Sequence, residues 1–440
     1  MAAEKEVFMK EVGIGLLGFG TVGAGVVEGL QRNAELLARR TGVRLVLRWI
    51  ADLDLERDRG VTVDRAILTR DARAVVEDPQ VNVIIELVGG TGIARELVTR
   101  ALELGKPVVT ANKKLLAEYG TSLYALAAKQ KAALAFEASV GGGIPIIKSL
   151  REGLVANHIL AAYGILNGTC NYILTRMEQE GLPFDEVLKA AQSAGYAEAE
   201  PSLDIDGHDT AHKAAMLASL AYGFPVPMKS LYVEGIRGLA QEEIRYAAEL
   251  GYRIKLLGII KQGPAGISVR VHPTLVPHSH MLASVGGVFN AVLVRGDIVG
   301  DTLYYGRGAG RLPTASAVLA DVADVARRLA AGVRSDLPVF PEGGTPPRLA
   351  AVETVEARYY LRLSLLDKPG VLARVAHVLG QHNISIASMI QKEQSRGDYV
   401  PVIILTHTAV EKNFQAALAE IDGMDVVSAK TVRLRIEDFA

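Results

Sequence analysis

The chain has 440 residues and a formal net charge of −1, a length that allows two or three domains, each with its own core. The balanced charge, without a long basic run, argues against nucleic acid or a membrane surface as a partner. The sequence has no apolar span long enough to cross a membrane and no apolar leader. The single cysteine, Cys170, excludes an internal disulfide and a cysteine metal cage, so we expect a cytoplasmic protein.

The first predicted strand runs into a glycine turn. An apolar stretch at 14–17 ends in Gly18-x-Gly20-x-x-Gly23, and a helical pattern of apolar residues follows. Gly18 permits a tight turn, Gly20 lets the backbone approach a pyrophosphate, and Gly23 lets the helix lie close to the strand. The helix N-terminus offers free N–H groups to the phosphates. The sequence therefore predicts a dinucleotide-binding domain at residues 1–140.

Strands and helices continue to alternate in this domain. Strands are predicted at 44–51, 83–88, 107–110 and 132–136, and helices near 71–77, 91–104 and 113–130. This alternation is typical of a Rossmann-type, doubly wound α/β sheet, whose ligand lies at the carboxyl ends of the strands. The candidates at these ends are Asp52, Thr91, Lys113 and Lys114. Two adjacent lysines are also typical of an exposed surface, so their role is left open.

Residues 198–213 contain five carboxylates, and four of them combine with a lysine at non-random spacing. These are Glu198, Asp204, Asp206, Asp209 and Lys213. If a helix begins near residue 207, Asp209 and Lys213 are i and i+4 and share one face. An acid beside a lysine suits a reaction that forms an alkoxide, although acidic loops with one lysine are more often solvated surface.

Two glycine-rich segments bound the predicted second, catalytic domain of α+β type, 141–331. The segment 137–145, EASVGGGIP, predicts a loop whose carbonyls and carboxylate suit a hard monovalent cation, or else a simple hinge between domains. The segment 306–310, GRGAG, opens a predicted helix at 315–329. We expect that helix to return to the nucleotide domain, with its N-terminus facing a phosphate or the nicotinamide.

The C-terminal region is predicted to be a small separate domain. Proline and glycine accumulate in a linker, 332–355, and the elements of 356–440 follow the β-α-β-β-α-β order of a ferredoxin-like module. At its first turn, the N–H groups near Gly370 can receive a ligand carboxylate, and Asp367 or Asn383 can meet an α-ammonium. The alternative is that this module only dimerises.

Together these motifs resemble the homoserine dehydrogenases, in the longer form with a C-terminal ACT-type regulatory domain, over essentially the whole chain. The specific match runs from Ala191-x-x-x-Gly195-Tyr196 through Pro201-x-x-Asp204-Ile205-x-Gly207-x-Asp209-x-x-x-Lys213, with support from GFGTVG, TANK, EASVGGGIP, NGTCNYI and GRGAG. One position departs from the family pattern, because Glu200 precedes Pro201 where the family has a shorter Asp, Asn or Ser.

The resemblance implies a reversible, nicotinamide-dependent reduction of L-aspartate 4-semialdehyde to L-homoserine, at the branch toward threonine, isoleucine and methionine. Lys213 is then the proton donor to the oxygen that gains charge as hydride arrives, with Lys113 and Asp209 as further catalytic residues. Glu198 is expected to accept from the substrate α-ammonium. The substrate-binding residues are expected to be Glu198, Asp204, Tyr196 and Thr169.

The resemblance also implies ligands for the other motifs. The cofactor-binding residues are expected to be Phe19, Gly20, Thr21, Val22, Asp52, Thr91, Lys113 and Gly310. Sodium is expected on Glu137, Val140, Gly142 and Ile144, mostly through backbone carbonyls. A homodimer or a higher homo-oligomer is expected, with threonine as the candidate effector at Asp367, Gly370 and Asn383.

The choice between NAD and NADP depends on the segment after the second strand. Asp52 stands where an acidic residue accepts from the adenosine ribose of NAD. The family usually has an arginine near the next position, where this chain has Leu53, although Arg40 and Arg57 are possible replacements. We therefore expect usable NAD and a reduced preference for NADP.

Two other functions are considered. His208 and His212, with Asp209 as base, resemble the zinc pair of a metallohydrolase, but this alternative needs a third ligand and does not account for the glycine turn. The second alternative is a non-catalytic sensor that couples nucleotide state to an amino acid on the C-terminal module.

Overall fold

The computed structural model of the protein describes residues 9–333, 339–340, 347–391 and 398–439. Part of the predicted linker, 334–338 and 341–346, lies outside the described residues. The chain divides into two compact units, here called unit 1 (Met1–Ile159, His212–Met228 and Phe289–Pro346) and unit 2 (Leu160–Ala211, Lys229–Val288 and Pro347–Ala440). Among the described residues, no helix combines the length and apolarity that a membrane span requires.

The first third of the chain alternates strands and helices. In chain order its elements are β1 (Lys10–Leu17), α1 (Thr21–Arg32), α2 (Ala34–Thr41), β2 (Val43–Ala51), β3 (Leu68–Thr69), α3 (Ala72–Glu77), β4 (Val83–Glu86), α4 (Ile93–Glu103), β5 (Val108–Thr110), α5 (Lys113–Gln130), β6 (Leu134–Ala135) and α6 (Ile146–Lys148).

The middle of the chain mixes helices with long antiparallel strands. Its elements are β7 (Ile159–Ile165), α7 (Gly168–Glu180), α8 (Phe184–Ser193), α9 (Ser202–Ile205), α10 (His208–Tyr222), β8 (Tyr232–Val233), α11 (Gln241–Glu249), β9 (Tyr252–Gly263), β10 (Gly266–Pro277), β11 (Phe289–Gly296), β12 (Gly300–Arg307) and α12 (Arg311–Ala330).

The C-terminal part has the predicted alternation, with one additional short strand. Its elements are β13 (Glu356–Leu366), α13 (Val371–Gln381), β14 (Ile386–Gln391), β15 (Tyr399–Thr406), β16 (Ala409–Val410), α14 (Glu411–Asp422) and β17 (Val432–Ile436).

Unit 1 contains a six-stranded sheet in the order β3-β2-β1-β4-β5-β6, and its strands pair in parallel. This is the strand order of a dinucleotide-binding fold, with its switch point between β1 and β4. The predicted doubly wound sheet is thus confirmed. Apolar residues of α1 and α12 share one core with the sheet, among them Val26, Val318 and Val322, none more than 1% exposed. Their burial is the main stabilising contribution to this unit.

Several predicted boundaries in unit 1 are wrong, among them the last strand, which is Leu134–Ala135 rather than 132–136, and two others have a clear structural cause. Strand β4 ends at Glu86 rather than at residue 88, because the buried Glu86 carboxylate accepts from Thr110 Oγ1 at 2.6 Å and from Gly89 N at 3.0 Å and so starts a turn. Helix α12 begins at Arg311 rather than at residue 315. The preceding Gly310, at φ 124°, turns the chain directly into the helix, and Thr314 N donates to its carbonyl at 3.1 Å.

Unit 2 is built on a run of strands in the order β7-β9-β10-β17-β13-β15-β14. The last four belong to the C-terminal module, and their order confirms the ferredoxin-like prediction. The module has its own core, in which α13 and α14 cover one face of β13 and β15. Strand β17 pairs in parallel with β10 through Thr274–Arg435 and Leu275–Ile436. The module is therefore joined to the rest of unit 2 by a shared sheet as well as by the linker.

A buried polar cluster reinforces this junction. The carboxylate of Glu243 on α11 is 1% exposed and accepts from Tyr360 Oη at 2.7 Å and from Arg362 Nε at 2.5 Å, both on β13. Burial raises the pKa of Glu243, against the opposing effect of the Arg362 charge. A carboxylate buried to this extent depends on its partners, since removing one partner of a buried pair leaves an uncompensated charge.

We expect Arg362→Met to lower the free energy of unfolding of the full-length protein by about 3 kcal/mol or more, because it leaves the Glu243 charge buried without its cation. The matched control is Arg374→Met, whose partner Asp425 is 79% exposed, and which should cost less than about 1 kcal/mol. Urea denaturation measures both variants. Equal losses in the two would show that the cluster does not hold the module in place.

Candidate active site

The glycine turn between β1 and α1 has the geometry that its three glycines predict. Gly18 has φ 95° and donates to Ala51 O at 2.8 Å. A Cβ on Gly23 would lie 2.2 Å from Gly18 O, so α1 can pack on the turn only without a side chain there. A Cβ on the exposed Gly20 would meet nothing within 4 Å. Gly20 is thus open to an approaching ligand, while Gly23 is required by packing.

Asp52 is held at the end of β2, facing the glycine turn. Its carboxylate accepts from Phe19 N at 2.6 Å and from Asp54 N at 2.9 Å, and Arg59 Nη2 lies 3.4 Å away. The Arg59 guanidinium lies 4.8 Å from the centre of the Phe19 ring and also donates to the carbonyls of Phe19, Asp54 and Arg57.

Sequence reasoning missed Arg59 and named two other arginines as partners for a 2′-phosphate. Arg40 lies near the end of α2 and Arg57 on the loop after β2, and both are exposed. Arg59, with a side chain only 8% exposed, is the cation beside Asp52. The sequence does show a basic residue, Arg59, a few positions after β2. A comparison with the family at position 53 alone does not find it.

The ends of β4 and β5 form a second polar corner of unit 1. Asn112 caps α5 by accepting from Leu115 N at 3.1 Å and donates to Gly90 O at 2.7 Å, which ties the Gly89–Gly90–Thr91 turn to the start of the helix. Lys113 begins α5 and is half-buried, whereas Lys114 is exposed, with Glu118 4.0 Å away. The two adjacent lysines thus have different environments.

The loop after β6 places Glu137 deep inside unit 1. The Glu137 carboxylate is 2% exposed and accepts from Ile147 N at 2.9 Å and Lys148 N at 2.7 Å. Burial raises its pKa to about 7, although these two backbone donors oppose the shift. Gly142 has φ 56°, and a Cβ there would lie 2.4 Å from Gly308 O. The loop is therefore fixed in place rather than a loose hinge.

In unit 2 one amide joins two of the predicted carboxylates. Asn167 Nδ2 donates to Asp204 Oδ1 at 2.7 Å and to Asp209 Oδ2 at 2.9 Å. The same side chain caps α7, since Asn167 Oδ1 accepts from Cys170 N at 2.8 Å. Asn167 is the first residue of the NGTCNYI motif, but the sequence alone did not predict a role for it.

The remaining acids of residues 198–206 are arranged differently. Asp206 forms a bidentate pair with Arg237 at 2.7 and 2.8 Å, and this pairing holds the pKa of Asp206 below its usual value. Glu200 accepts from Ser202 N at 3.1 Å and from the Ser202 hydroxyl, so the residue that departs from the family pattern holds the turn into α9. Glu198 is exposed. Asp206 and Glu200 are structural, whereas Glu198 is available to a ligand.

Thr169 and Tyr196 lie near the N-terminus of α7. Thr169 Oγ1 donates to Tyr196 O at 2.7 Å, and the Tyr196 ring, 46% exposed, lies 4.8 Å from the Tyr172 ring. Gly195, at φ 74°, ends the turn after α8. These contacts place an exposed aromatic surface next to the segment that carries Glu198.

Helix α10 carries Asp209 and Lys213 one turn apart, as predicted. Asp209 is 2% and Lys213 8% exposed, so neither belongs to a solvated surface. His208 is exposed and His212 half-buried. Within residues 9–333, 339–340, 347–391 and 398–439, no three His, Cys, Asp or Glu side chains are grouped to hold a metal ion. The third zinc ligand that a metallohydrolase requires is thus absent from the described part of the chain.

The candidate effector residues are all exposed on the C-terminal module. Gly370, at φ 86°, caps α13, and Asn383 has φ 58°. Asp367 Oδ1 accepts from Gln391 Nε2 at 3.4 Å, and Asp367 N donates to Asp398 O at 2.9 Å. The turn is held in place by backbone geometry, with its carboxylate open to solvent.

Family models match three stretches of the chain. The NAD-binding domain of homoserine dehydrogenase matches residues 18–137, the homoserine dehydrogenase domain residues 145–323, and the ACT domain residues 359–423. A homoserine dehydrogenase of Neisseria gonorrhoeae is 47% identical over 434 residues, which cover 98% of this chain and 100% of that protein. The chain belongs to the homoserine dehydrogenase family.

Solved structures agree with this assignment. A homoserine dehydrogenase from Thiobacillus denitrificans has 47% sequence identity and a TM-score of 0.92, covering 98% of this chain and 99% of that one. A hyperthermophilic archaeal homoserine dehydrogenase in complex with NADPH has 29% identity and a TM-score of 0.62, covering 72% of this chain and 98% of that one. Membership in the homoserine dehydrogenase family makes the chain an NAD(P)-dependent oxidoreductase, and it sets aside the metallohydrolase and the non-catalytic sensor.

The glycine turn of this homoserine dehydrogenase provides a matched pair of variants. Gly20→Ala adds a methyl group to open space and should leave stability unchanged, but it should raise the KM for the dinucleotide by about tenfold or more, because the backbone can no longer approach the pyrophosphate. Gly23→Ala should lower the melting temperature, since its Cβ would lie 2.2 Å from Gly18 O. Thermal unfolding and steady-state kinetics separate the two effects. A Gly20→Ala enzyme with an unchanged KM would show that the pyrophosphate lies elsewhere.

Proposed function

We propose that this homoserine dehydrogenase interconverts L-aspartate 4-semialdehyde and L-homoserine with Lys213 as the acid and base. The observation that carries the assignment is the pair Asp204 and Asp209, which Asn167 bridges. Asp209 lies on α10, one turn before the buried Lys213. The amide lowers the repulsion between the two carboxylates, so that Asp204 can receive an α-ammonium while Asp209 stays charged beside Lys213. The test is nicotinamide reduction by the purified protein that depends on homoserine.

The dinucleotide, when bound, accepts or supplies the hydride. In the reducing direction the aldehyde oxygen gains negative charge, and the Lys213 ammonium stabilises that charge and delivers a proton to the oxygen. In homoserine oxidation Lys213 removes the hydroxyl proton. Glu198 and Asp204 bind the α-ammonium, Asp209 orients Lys213, and Thr169 and Tyr196 border the substrate. Lys113, the half-buried lysine of the pair, contacts cofactor and substrate.

The residues of unit 1 fit a dinucleotide at the switch point of the sheet. Residues 19–22 would line the pyrophosphate, with Thr91 and Gly310 nearby, and Asp52 would bind the adenosine ribose. Backbone N–H groups at the start of α1 would donate to the phosphates. This binding position is supported by the open space at Gly20 and by the hydrogen bond that holds Asp52 against the glycine turn.

A monovalent cation, most simply sodium, fits the loop 137–144. Backbone carbonyls of Val140, Gly142 and Ile144 with the Glu137 carboxylate would form a set of hard oxygen ligands. The fit is supported by the burial of Glu137, whose carboxylate is desolvated and gains from a nearby positive charge. The protein fixes this loop through the hydrogen bonds that the Glu137 carboxylate accepts from Ile147 N and Lys148 N.

The wider biological role is part of the same proposal. The enzyme would work in the cytoplasm, at the branch toward threonine, isoleucine and methionine, as a homodimer or higher homo-oligomer. The predicted domains, 1–140, 141–331 and 356–440, then supply nucleotide binding, substrate binding and regulation. An ACT module on a biosynthetic enzyme is suited to an amino-acid effector, with threonine as the end product.

Replacing Lys213 by Ala should lower kcat by about 10²-fold or more with little change in cofactor affinity, because the proton donor is lost while the glycine turn is intact. The matched control is Lys114→Ala, which removes an exposed lysine and should leave kcat within about twofold. Steady-state kinetics in both directions, with cofactor titration by fluorescence, measures the outcome.

The same assignment predicts the pH dependence of homoserine oxidation. Lys213 must be neutral to accept the hydroxyl proton, so the rate should rise as pH increases from neutral into the alkaline range. A flat profile over that range, or a Lys213→Ala enzyme as active as the Lys114→Ala control, contradicts the role of Lys213.

Cofactor choice should reflect the pair Asp52 and Arg59. The carboxylate suits the 2′-hydroxyl of NAD and repels a 2′-phosphate, whereas the guanidinium partly offsets that repulsion. We expect NAD to be usable, with kcat/KM for NADP no more than about tenfold above that for NAD. Arg59→Ala should reduce kcat/KM for NADP more than for NAD. A larger NADP preference in the unmodified enzyme would overturn this expectation.

Threonine is expected to inhibit the full-length enzyme with a coupling of about 1–3 kcal/mol through the turn at Asp367 and Gly370. Asp367→Asn should weaken the inhibition without altering the KM for homoserine, while the control Asp425→Asn, also exposed on this module, should alter neither the inhibition nor the KM. Truncation of the module is a poor test, because it uncovers β10 and removes Arg362 from Glu243. Inhibition that is strictly competitive with homoserine and equal in all three proteins would place threonine at the active site instead.

A further inference from the structure

Arg311, the first residue of α12, joins three segments of unit 1. Its Nη2 lies 2.8 Å from Glu28 Oε2 on α1, and its Nη1 donates to Arg59 O at 2.9 Å, on the loop after β2. The side chain is half-buried. The roles proposed above for residues at the cofactor, substrate, cation and effector sites do not involve Arg311. Its three contacts nevertheless lead to the adenosine end of the dinucleotide site.

The backbone of Arg311 is fixed against α1. A Cβ on Gly25 would lie 2.5 Å from Arg311 O, so the two helices touch here without room for a side chain. Glu28 is i+3 to Gly25 and therefore lies on the same face of α1, one turn further on. Because such close packing allows little movement, the Arg311 guanidinium reaches Glu28 and the loop from a rigid base.

The loop after β2 depends on contacts of this kind. Residues 52–64, all of them described, contain no helix or strand, so their backbone groups rely on partners outside regular secondary structure. Among the described residues, two helical side chains donate to the carbonyls of this loop, namely Arg311 to Arg59 O and Gln31 of α1 to Thr62 O at 2.7 Å. Arg311 thus holds the residue whose guanidinium lies beside Asp52, whereas Gln31 holds the loop three residues further on.

Arg59 connects this contact to the glycine turn. Its guanidinium lies 3.4 Å from Asp52 and donates to the carbonyls of Phe19, Asp54 and Arg57. These donors face the loop and the turn, and the side chain is only 8% exposed. A shift of the Arg59 backbone would therefore move this whole cluster, and with it the Asp52 carboxylate, relative to the glycine turn.

We propose that Arg311 is a positioning residue for the adenosine half of the dinucleotide. It holds the Arg59 backbone against α1 and thereby fixes Asp52, so this inference rests on the proposed position of the adenosine ribose at Asp52. Arg311 acts through the loop, at a distance from the nicotinamide and from homoserine. Its loss should weaken recognition of the adenosine half and leave hydride transfer and substrate binding unchanged.

The test is steady-state kinetics of Arg311→Met and the unmodified enzyme, with adenosine 5′-monophosphate (AMP) and nicotinamide mononucleotide as inhibitors that compete with NAD. We expect the KM for NAD and the Ki of AMP to rise about fivefold or more, the scale of one lost hydrogen bond from a charged group. By contrast, kcat, the KM for homoserine and the Ki of nicotinamide mononucleotide should change by less than about twofold. A merely structural role would lower the melting temperature without separating the two halves of the cofactor.

Three further variants serve as comparisons. Arg311→Lys keeps one donor and should raise the Ki of AMP only about two- to fivefold, and it keeps the test available if thermal unfolding shows that Arg311→Met does not fold. Gln31→Leu removes the other helical donor to the loop, and Arg327→Met removes an exposed arginine at the far end of α12. Both should leave the Ki of AMP within about twofold.

A double-mutant cycle shows whether Arg311 acts through Arg59. Because Arg59→Ala already removes the bonds that fix the loop, adding Arg311→Met should raise the Ki of AMP by less than about twofold more. Effects that add in full, an equal rise for both mononucleotides, or an equal rise in Gln31→Leu overturns the inference.

Asp52→Ala separates the two levels of the proposal. If this variant raises the Ki of AMP and Arg311→Met does not, only the role of Arg311 is wrong. If Asp52→Ala leaves the Ki of AMP unchanged, the adenosine ribose lies elsewhere, and the inference about Arg311 fails together with the proposed cofactor position.

Discussion

The interaction on which the proposed active site depends is the pair of hydrogen bonds from Asn167 Nδ2 to Asp204 and Asp209. Two carboxylates this close repel each other unless a donor or a cation lies between them. A neutral amide lowers this repulsion without neutralising either charge, so both carboxylates keep the charge that their proposed roles require, Asp204 for the substrate ammonium and Asp209 for Lys213. The same residue caps α7, and Asp209 lies in the first turn of α10. One side chain thus links the start of α7 to the first turn of α10, the helix that carries Lys213.

The C-terminal module is built into unit 2 rather than attached to it by a linker alone. Strand β17 pairs with β10, and Glu243 is buried against Tyr360 and Arg362. Because these contacts are buried, a change in the module must be accommodated by the sheet it shares with the rest of the unit. An amino acid bound to the module, as proposed, would therefore have a physical route to the rest of unit 2, which the linker sequence did not reveal.

The sequence predicted the features that depend on local patterns. The glycine turn, the alternating strands of unit 1, the i, i+4 pair on α10 and the ferredoxin-like order all follow from residues near one another in the chain. The position of Asp52 beside the glycine turn could also be predicted, because it directly follows a strand.

Features that join distant segments could not be predicted in this way. The bridging role of Asn167, the cluster of Arg59 with Phe19 and Asp52, and the bonds of Glu86 each require knowing which turns meet in space. The parallel pairing of β10 with β17 has no local signature either, since both strands show ordinary apolar patterns. Apolar periodicity predicted the start of α12 at residue 315, but the helix begins at Arg311. The positive φ of Gly310 lets the chain turn directly into the helix, and periodicity does not show this.

The most direct test of this account is the rate of homoserine oxidation by an Asn167→Asp enzyme. This change keeps an acceptor for the cap of α7 but replaces the bridging donor with a third carboxylate beside Asp204 and Asp209. We predict that kcat/KM for homoserine falls by about 10²-fold or more, since a displaced catalytic group loses rate steeply, while dinucleotide binding at the glycine turn is unchanged. Homoserine oxidation at the rate of the unmodified enzyme would contradict the claim that this amide bridge organises the site.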